Sequence, residues 1–456
     1  MENQTTEVTQ TDSVKLSWRE RIGFGQLDLA GQLVFNMITV YLLYYFTDVA
    51  LIPVGTAGTI LFIARIFDAL DAPIWGTLID MTHTRWGKAR PYFLWVILPF
   101  TISAILTFSA PNLSLHAKIW YCAITYICTG VLYTGLNTPL ATVLPLLTRD
   151  PQERLTLNSI RMTFGQVGVL IVNALGLPLV AFFGKGNKVV GFRWTIIIFA
   201  LVGMILTLVS FSNIKERVKP VVQKVSIKKS VRAMKNNWPW VIIIISNLFL
   251  WIALTSRSST IVYYMTYNYG NQDMTSVLNS MKVIQVVTTL LIPLFARKLS
   301  KKIIWITGLI MCITGQLIIG FAGMNLPVII VGWLLGCLGI GFAVTMPFAL
   351  IGATVDYGEW KNGINAAGLL TAIGTSFCIK LGSGIGGMIS AKVMAAFGYV
   401  ANKTQTAAGL QGISISFVWV TIIALVIAMV PLFFYGKYER LETKITDDLN
   451  ERKVQA

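Results

Sequence analysis

The sequence predicts an all-α integral membrane protein with about twelve transmembrane helices, arranged as two six-helix halves. Of its 456 residues, 55% are hydrophobic and only 12% are charged, whereas soluble globular domains contain about 25% charged residues. The apolar residues form runs of about 20 residues, the length that an α-helix needs to cross a bilayer. A polar, basic segment at 214–237 follows the sixth run. Two halves joined in this way are typical of transporters built from repeats, which bind their substrate at the midplane between the halves.

Each predicted span is an apolar run that ends at charged or turn-forming residues. The spans of the first half are 23–46, 53–80, 91–110, 118–147, 156–183 and 193–213. Those of the second half are 238–267, 275–296, 303–324, 327–355, 363–397 and 412–436. Runs longer than about 20 residues imply tilted helices or helices that continue beyond the hydrocarbon. The predicted units are a tail at 1–22, a bundle at 23–213, a linker at 214–237, a bundle at 238–436 and a tail at 437–456.

Loop charges predict that both termini and the linker are cytoplasmic, in a protein of the cell membrane. Basic residues precede the first span and follow the second, fourth and eighth, namely Lys15, Arg19, Arg21, Arg85, Lys88, Arg90, Arg149, Arg154, Arg297, Lys298, Lys301 and Lys302. Loops 47–52 and 269–275 contain no Lys or Arg, and loop 184–193 is an exception to the pattern. Cytoplasmic loops are enriched in Lys and Arg. The net charge of +17 therefore reflects topology, and no nucleic-acid partner is expected.

Three charged residues interrupt the second span. Arg65, Asp68 and Asp71 lie within the apolar run 53–79, and their spacing places them on one face of a helix. An ion at bilayer depth costs at least ~2.5 kcal/mol, and such residues in membrane proteins are paired, hydrated or functional. These residues predict the working site of a solute transporter. The alternative is a structural ion pair between Arg65 and one of the aspartates.

Four motifs resemble those of one branch of the major facilitator superfamily, the glycoside-pentoside-hexuronide:cation symporters. The segment 76–91 combines G-x-x-x-D with the basic turn R-W-G-K-A-R-P, and Y-Y-F-T-D-V ends the first span at 44–49. D-P-Q-E-R-L at 150–155 and V-D-Y-G-E-W-K at 355–361 resemble loops after the fourth and tenth spans. The resemblance implies a major facilitator fold that imports a glycoside by symport with Na⁺ or H⁺. It implies no cofactor besides the coupling ion, and a sugar and the bilayer as partners.

The resemblance also implies a cation site on the second span. In melibiose-permease-like members two aspartates one turn apart bind the cation. Asp68 matches the first, whereas Ala72 occupies the position of the second and Asp71 lies beside it. Lys380 matches a lysine that the family places near these carboxylates, and Asn137, which offers only a carbonyl oxygen as ligand, replaces a third carboxylate. The candidate cation site comprises Asp68, Asp71, Thr134, Asn137 and Lys380, and Na⁺ is the only metal expected there.

Sugar recognition requires hydrogen-bonding groups for the hydroxyls and an aromatic face for the C–H side of the ring. Asp28 and Arg161 are isolated charges in apolar runs, and Arg161 matches an arginine on helix 5 of the family. An ungapped count places the family's sugar-binding aspartate at Gln32, one turn after Asp28. Packing is the alternative role for single polar residues in helices. The candidate substrate site comprises Asp28, Gln32, Tyr133, Arg161 and Trp251.

The charged loop motifs predict a gate on the cytoplasmic side. Their side chains can form charge-assisted bonds that hold helix ends together, and breaking these bonds would shift the balance between inward-open and outward-open states. The alternative is that the charges only fix topology. The candidate gating residues are Asp80, Arg85, Lys88, Arg90, Asp356 and Glu359.

The sequence also bears on functions other than symport. An enzyme is not expected, because the chain contains no H-E-x-x-H, G-x-S-x-G or glycine-rich phosphate loop. An uncoupled or exchange-type sugar facilitator and a lysolipid transporter of the same branch are the alternatives. Charged residues within the spans favour sugar over lipid, since a lipid pathway should be more apolar.

Overall fold

The regular structure of this protein is helical throughout the residues that the computed structural model describes, which are 16–148, 150–217, 234, 236–296, 298–363 and 367–455. In these residues the β-type pairing is one isolated bridge between Thr84 and Gly87. Ten helices in the same part of the chain are long and apolar enough to cross a membrane. The prediction of an all-α membrane protein is confirmed. The start of the N-terminal tail (1–15) and most of the linker (218–233 and 235) lie outside the described residues.

The N-terminal half has a helix, whole or broken, at each predicted span. The first, α1, is Trp18–Tyr44 and continues as a π-helical turn over Tyr45–Val49. The others are α2a (Val54–Leu70), α2b (Ala72–Met81), α3a (Arg90–Trp95), α3b (Ile97–Thr107), α4 (Leu115–Leu147), α5 (Pro151–Gly184) and α6 (Lys188–Asn213). Ser17, Asp150 and Asn187 accept backbone N–H bonds at the starts of α1, α5 and α6, the usual role of such residues at N-caps.

The C-terminal half follows the same plan. Its first helix, α7, is Trp238–Tyr263 and continues as a π-helical turn over Tyr264–Asn268. Next come α8a (Met274–Ser280), α8b (Val283–Ala296), α9 (Lys301–Phe321) and α10 (Leu326–Asn362). Two helices with internal π-helical turns complete the half: α11 (Ala367–Ala372, Ile373–Phe377, Cys378–Ala396) and α12 (Ala407–Ser414, Ile415–Trp419, Val420–Gln455).

The breaks in the second and third spans have a common cause. Helix α2 is interrupted at Asp71 and helix α3 at Val96. Pro73 and Pro99 follow these positions by two and three residues. A proline has no N–H for the carbonyl four residues earlier, and its ring crowds that carbonyl, so the helix kinks or breaks there. The break in α2 therefore falls within the charged segment that the sequence singled out.

The segment predicted as a C-terminal tail at 437–456 is helical as far as Gln455. Its helix α12 continues past the predicted end because its inner face remains apolar beyond the membrane. Tyr438, Ile445 and Leu449 are buried in one cluster with Tyr357 of α10. Trp360 Nε1 also donates a hydrogen bond to Asp448 Oδ2 at 2.8 Å. The last turns of α12 thus pack against the end of α10.

The two halves share a core at one face of the molecule. A single buried cluster joins Tyr45 and Ala57 of the first half to Tyr263, Met394 and Phe417 of the second. This is the face with the loops 50–53, 269–273 and 397–406, and we call it the sealed face.

At the opposite face each half has its own core. One buried cluster contains Phe24, Phe93 and Leu140, all from the first half. Another contains Trp305 and Leu432, from the second half. We call this the open face; it includes the loop 82–89 and the end of α12. The cores of the two halves are therefore joined at the sealed face and separate at the open face.

Candidate functional site

Helices α2a and α11 cross at close range and bring charges from the two halves together. A Cβ atom on Gly384 of α11 would lie 2.8 Å from Cβ of Arg65, so a larger residue there would force the helices apart. Small residues allow this kind of close approach between membrane helices. Lys380, one turn before Gly384, therefore reaches α2a.

The Lys380 amine lies among oxygen atoms of three residues from the first half. Its Nζ is 3.0 Å from Asp68 Oδ1 and 3.7 Å from Asp71 Oδ1. It donates to Thr134 Oγ1 at 3.2 Å and to the backbone carbonyl of Asp68. Thr134 in turn donates to Asp68 Oδ1 at 2.8 Å. The structure thus brings Asp68, Asp71, Thr134 and Lys380 into one cluster, which we call the cation cluster.

Arg65 is the second cation of this cluster. Its Nη1 is 3.1 Å from Asp68 Oδ2, and its guanidinium lies 5.1 Å from the centre of the Phe35 ring. Asp68 is 3% exposed, and a buried carboxylate requires such partners. Two carboxylates and two cations make the cluster electrically neutral.

Asp71 is the least satisfied member of the cation cluster. Asp71 is buried, and neither of its carboxylate oxygens has a hydrogen-bond partner among the described residues. Hard cations such as Na⁺ bind oxygen ligands, above all carboxylates. Asp71, Asp68 and Thr134 supply oxygens of this kind. No group of three or more His, Cys, Asp and Glu residues suited to a metal ion is found in the described part of the chain.

Asp28 and Arg161 form a second charged pair, on α1 and α5. The Arg161 Nε and Asp28 Oδ2 atoms are 3.9 Å apart, which is at the outer limit of an ion pair. The Arg161 Nε has no hydrogen-bond partner among the described residues. Asp28 lines a cavity together with Tyr133 and Asn137 of α4. The pair therefore presents donors and an acceptor that are not fully used within the protein.

Tyr133 connects the two charged sites. Its ring stacks on Phe35 with centroids 4.6 Å apart, and Phe35 lies beneath the Arg65 guanidinium. Tyr133 also lines both the cavity beside Asp28 and an adjoining cavity beside Arg65 and Asp68. Tyr133 is therefore a shared wall of the two sites.

Of the remaining predicted site residues, Asn137 lines one of these cavities, and Gln32 and Trp251 line neither. Gln32 faces α5, where a Cβ on Gly168 would be 3.0 Å from its Cβ. Asn137 is exposed and lines the cavity with Asp28, so the structure places it on the Asp28 side and not within the cation cluster. Trp251 of α7 packs against Gly382 of α11, and its Nε1 is buried without a partner in the described residues.

The predicted gating residues of the loop 82–89 are held by their own half of the protein. The Glu216 carboxylate accepts the backbone N–H groups of Lys88, Ala89 and Arg90 at 2.8–2.9 Å. Arg90 also donates to the carbonyl of Phe211 at 2.8 Å. Sequence reasoning missed Glu216, because it lies 126 or more residues away from its partners. A lone acid just after α6 carried no recognisable signal.

The other predicted gating residues lie at the same face. Asp80 and Arg85 are exposed, and the Arg85 guanidinium lies 4.7 Å from the ring centre of Trp86. Asp356 is exposed and Glu359 is half-buried in the last turns of α10. All four side chains are therefore at the open face.

Comparisons with known proteins agree with this architecture. The family model described as "MFS/sugar transport protein" matches residues 23–437. The chain is 38% identical to the isoprimeverose transporter of Lactiplantibacillus pentosus over 99% of this chain and 96% of that protein. It is 31% identical to the inner membrane symporter YicJ of Escherichia coli (strain K12), over 96% and 95% respectively. It is 29% identical to the glucuronide carrier protein homolog of the same organism, over 96% and 97%.

Solved transporter structures share the fold at low sequence identity. A bacterial homolog of the human lysosomal transporter Spinster, in an inward-facing and unoccupied conformation, superposes with a TM-score of 0.70 at 13% identity, covering 93% of this chain and 97% of that one. The family match over most of the chain and the relatives above 30% identity extend this likeness from fold to family. The chain is thus a multi-pass membrane transporter that belongs to the MFS/sugar transport protein family, and so to the major facilitator superfamily.

Proposed function

We propose that this protein imports a glycoside by symport with Na⁺ or H⁺ through alternating access. One observation carries the proposal: Tyr133 forms a wall of both the cavity beside Asp28 and the cavity beside Asp68. A symporter must make the binding of sugar and of cation favour a shared state, so each ligand raises the affinity for the other by the same factor. A shared aromatic wall provides a direct contact path between the two sites.

Lys380 occupies the position where a coupling cation would bind. Its amine contacts both aspartates and Thr134, and the cluster is neutral only while this amine is present. A Na⁺ ion added to the cluster would leave one unbalanced positive charge in a low-dielectric site. Cation binding is therefore expected to displace Lys380 from α2, which loosens the contact between the halves. Protonation of a carboxylate would weaken the same ion pairs.

The substrate is proposed to be a neutral glycoside of about disaccharide size. Asp28 places a carboxylate on the lining of its cavity, which disfavours an acidic sugar by like-charge repulsion. The name of the isoprimeverose transporter, at 38% identity, supports a glycoside substrate. Donors on Arg161, an acceptor on Asp28 and the ring of Tyr133 supply the groups that a sugar requires.

The proposed orientation places both termini in the cytoplasm of a cell whose plasma or inner membrane contains the protein. The open face includes the end of α12 and the basic loop 82–89, and cytoplasmic loops are rich in Lys and Arg. The structure is then an inward-open state, in which the sealed face is extracellular. The proposed gating role of the open-face residues is that they engage when this face closes.

Two other functions remain as alternatives to ion-coupled uptake. An uncoupled or exchange-type facilitator would bind sugar in the cavity beside Asp28. Its cation cluster would only stabilise the contact between the halves. A lysolipid transporter would need an apolar path between the helices. The charged residues Arg65 and Asp68, buried among these helices, make such a path less suitable for a lipid chain. Both alternatives are outcomes of the following experiment.

Uptake of labelled isoprimeverose and related neutral glycosides into proteoliposomes tests the proposal, with a Na⁺ gradient, a proton gradient or neither imposed. Accumulation above the external concentration under one gradient is the expected result for the wild-type protein. Asp68→Asn should abolish accumulation while sugar exchange across the membrane continues, because exchange does not require the empty carrier to reorient. Asp273→Asn removes an exposed aspartate at the sealed face and is the matched control.

Several results would contradict coupling. Equal uptake with and without gradients would indicate a facilitator, and uptake of lysolipid in place of sugar would indicate a lipid transporter. Failure of Asp68→Asn to fold or insert would indicate that Asp68 serves mainly to neutralise Arg65, since a stranded arginine in the bilayer is costly.

A further inference from the structure

Asp48 is a buried carboxylate at the end of α1, at the sealed face. It is 3% exposed. Thr47 Oγ1 donates to its Oδ2 at 2.6 Å, and the Tyr399 hydroxyl donates to the same oxygen at 2.7 Å. The Tyr267 hydroxyl donates to Oδ1. Three hydroxyl donors thus converge on one carboxylate.

Most of these donors come from the other half of the protein. Tyr267 lies in the π-helical turn that ends α7, and Tyr399 lies in the loop between α11 and α12. From the same loop, Asn402 Nδ2 donates to the backbone carbonyl of Asp48 at 2.6 Å, and its backbone N–H donates to the Tyr267 hydroxyl at 3.0 Å. Opening of the sealed face must break the bonds that Tyr267, Tyr399 and Asn402 donate to Asp48. The bond from Thr47 to Asp48 and the bond from Asn402 to Tyr267 each lie within one half and can remain.

No direct ion pair neutralises Asp48 among the described residues. The amine of Lys188 donates instead to the Tyr44 hydroxyl at 2.8 Å. A buried carboxylate without a direct ion pair depends on hydrogen-bond donors for its stability. Water can replace the tyrosines once the face has opened.

We propose that Asp48 is the latch of the outer gate, closed by the hydroxyls of Tyr267 and Tyr399 and released when water takes their place. This proposal rests on the alternating access stated above and on the orientation that makes the sealed face extracellular. It divides the contact between the halves into two kinds. The cation cluster is an ion pair that a coupling ion can displace, while the latch is a hydrogen-bond clasp that an ion does not compete for directly.

Accessibility of a cysteine between the halves tests the latch without any sugar or ion. Thr39 lines a cavity at the interface with Ser259 and Ser383 of the second half, so Thr39→Cys is the reporter, in a background without the five native cysteines. A membrane-impermeant maleimide is added to right-side-out or inside-out vesicles. In the parent, labelling from the extracellular side should be slow.

Tyr267→Phe and Tyr399→Phe should each increase the extracellular labelling rate about tenfold, since each removes one hydrogen bond to a charged group without changing the ring. Asp48→Asn should increase the labelling rate further. The amide NH₂ would replace one acceptor oxygen, so that it would face hydroxyl groups that donate to the carboxylate in the parent. Labelling from the cytoplasmic side should fall in the same variants, which a merely destabilised fold would not produce. Tyr264→Phe is the control: this tyrosine is on the same π-helical turn, and its ring packs on Phe417 with centroids 4.8 Å apart.

Equal extracellular labelling in the latch variants and in Tyr264→Phe would overturn the proposal. If Asp48→Asn does not fold, the two Tyr→Phe variants decide the matter. Labelling that increases from the cytoplasmic side instead would also overturn it, because the sealed face would then not be extracellular. Loss of ion-driven uptake in the parent would count against symport and leave the latch result intact.

Discussion

Three intramembrane carboxylates of this protein are stabilised in three different ways. Asp68 has two cations within 3.1 Å, Asp28 has one cation at 3.9 Å, and Asp48 has only hydroxyl donors at its carboxylate. Removal of one partner from a buried ion pair costs about 3–5 kcal/mol, because the other charge remains uncompensated. The loosest of these ion pairs, Asp28 with Arg161, is therefore the one best suited to exchange its partner for a ligand.

The first prediction concerns that pair. Asp28→Ala and Arg161→Ala should each reduce the affinity for glycoside about thirtyfold or more. Each substitution removes a charged side chain of the protein that would form hydrogen bonds with the sugar. Equilibrium binding of a labelled glycoside to purified protein measures this. Arg19→Ala, at an exposed position of α1, should bind normally. Unchanged affinity in either of the first two variants would make that residue structural.

Asp71 provides a second test at the same scale. Its carboxylate oxygens have no hydrogen-bond partner among the described residues, which suits a ligand waiting for an ion. Asp71→Ala should therefore abolish ion-driven accumulation of sugar, so that the internal concentration only reaches the external one, while exchange continues. Lys392→Ala, an exposed change on α11, is the control. Full gradient dependence in Asp71→Ala would leave coupling to Asp68 and its neutral partner Thr134.

The charged residues of the cation cluster could be found in the sequence because each interrupts an apolar run. Arg65, Asp68 and Asp71 lie within seven consecutive positions, so helical geometry alone placed them together. Asp48 lay within a recognised motif, but its role depended on Tyr267 and Tyr399, which are 219 and 351 residues away. Tyrosines are ordinary members of apolar helices, so nothing in their local sequence indicates such a contact.

At the scale of elements, a carboxylate holds the loop between α2b and α3a. Glu216 accepts three consecutive backbone N–H groups, which places its charge at the N-terminus of α3a, where a helix favours an anion. The neighbouring Arg217 pairs with Glu20 at 2.5 Å. The end of α6 thus fastens both the loop 82–89 and the start of α1 within the first half. Such a unit can move as one body when the open face closes.

The third prediction follows from this contact. Glu216→Ala should lower the free energy of unfolding by about 1–3 kcal/mol, because backbone donors lose a charged acceptor. Glu216→Gln should have a smaller effect, since an amide still has one acceptor oxygen. The apparent melting temperature in detergent measures both, with Lys215→Ala at the exposed adjacent position as control. An unchanged melting temperature in Glu216→Ala would contradict the role of this carboxylate.

The presence and order of the helices were the most predictable part of the fold. The apolar runs placed helices at every predicted span, and Pro73 explains why α2 breaks beside its charged residues. The continuation of α12 to Gln455 was not predicted. The prediction rested on the apolar run, and the sequence after position 436 is too polar to extend that run. The buried face of Tyr438, Ile445 and Leu449 packs on α10 outside the hydrocarbon. Tertiary packing of that kind is not visible in a count of apolar residues.

At the scale of the whole molecule, the two faces differ in how the halves meet. The sealed face has one continuous core with the Asp48 latch, and the open face has a separate core in each half. Closing the open face would bring the gating residues of the two halves toward each other. The cation cluster joins α2 of the first half to α11 of the second. In the proposed mechanism, displacement of Lys380 from α2 would therefore act at a contact between the halves, and ion binding would favour a change of face.

The last prediction concerns the orientation of the molecule, on which every statement about import depends. The loop charges predict that position 226 of the linker is cytoplasmic and that position 272 is extracellular. Position 226 is not among the residues that the structure describes. The structure recommends other reporters, because Gln272 accepts a hydrogen bond from Tyr44 at 3.3 Å and labelling there would disturb the sealed face. Asp273 and Lys444 are exposed, on the loop after α7 and on the last turns of α12.

In intact cells, an impermeant maleimide should label Asp273→Cys and not Lys444→Cys, in the background without native cysteines. Permeabilised cells should allow both to react, which controls for thiol reactivity. The reason is the concentration of Lys and Arg at the open face, since cytoplasmic segments keep such residues. Labelling of Lys444→Cys alone would show that the topology is the reverse of the proposed one. The open face would then be extracellular, the structure would be an outward-open state, and the Asp48 latch would lie at the cytoplasmic side.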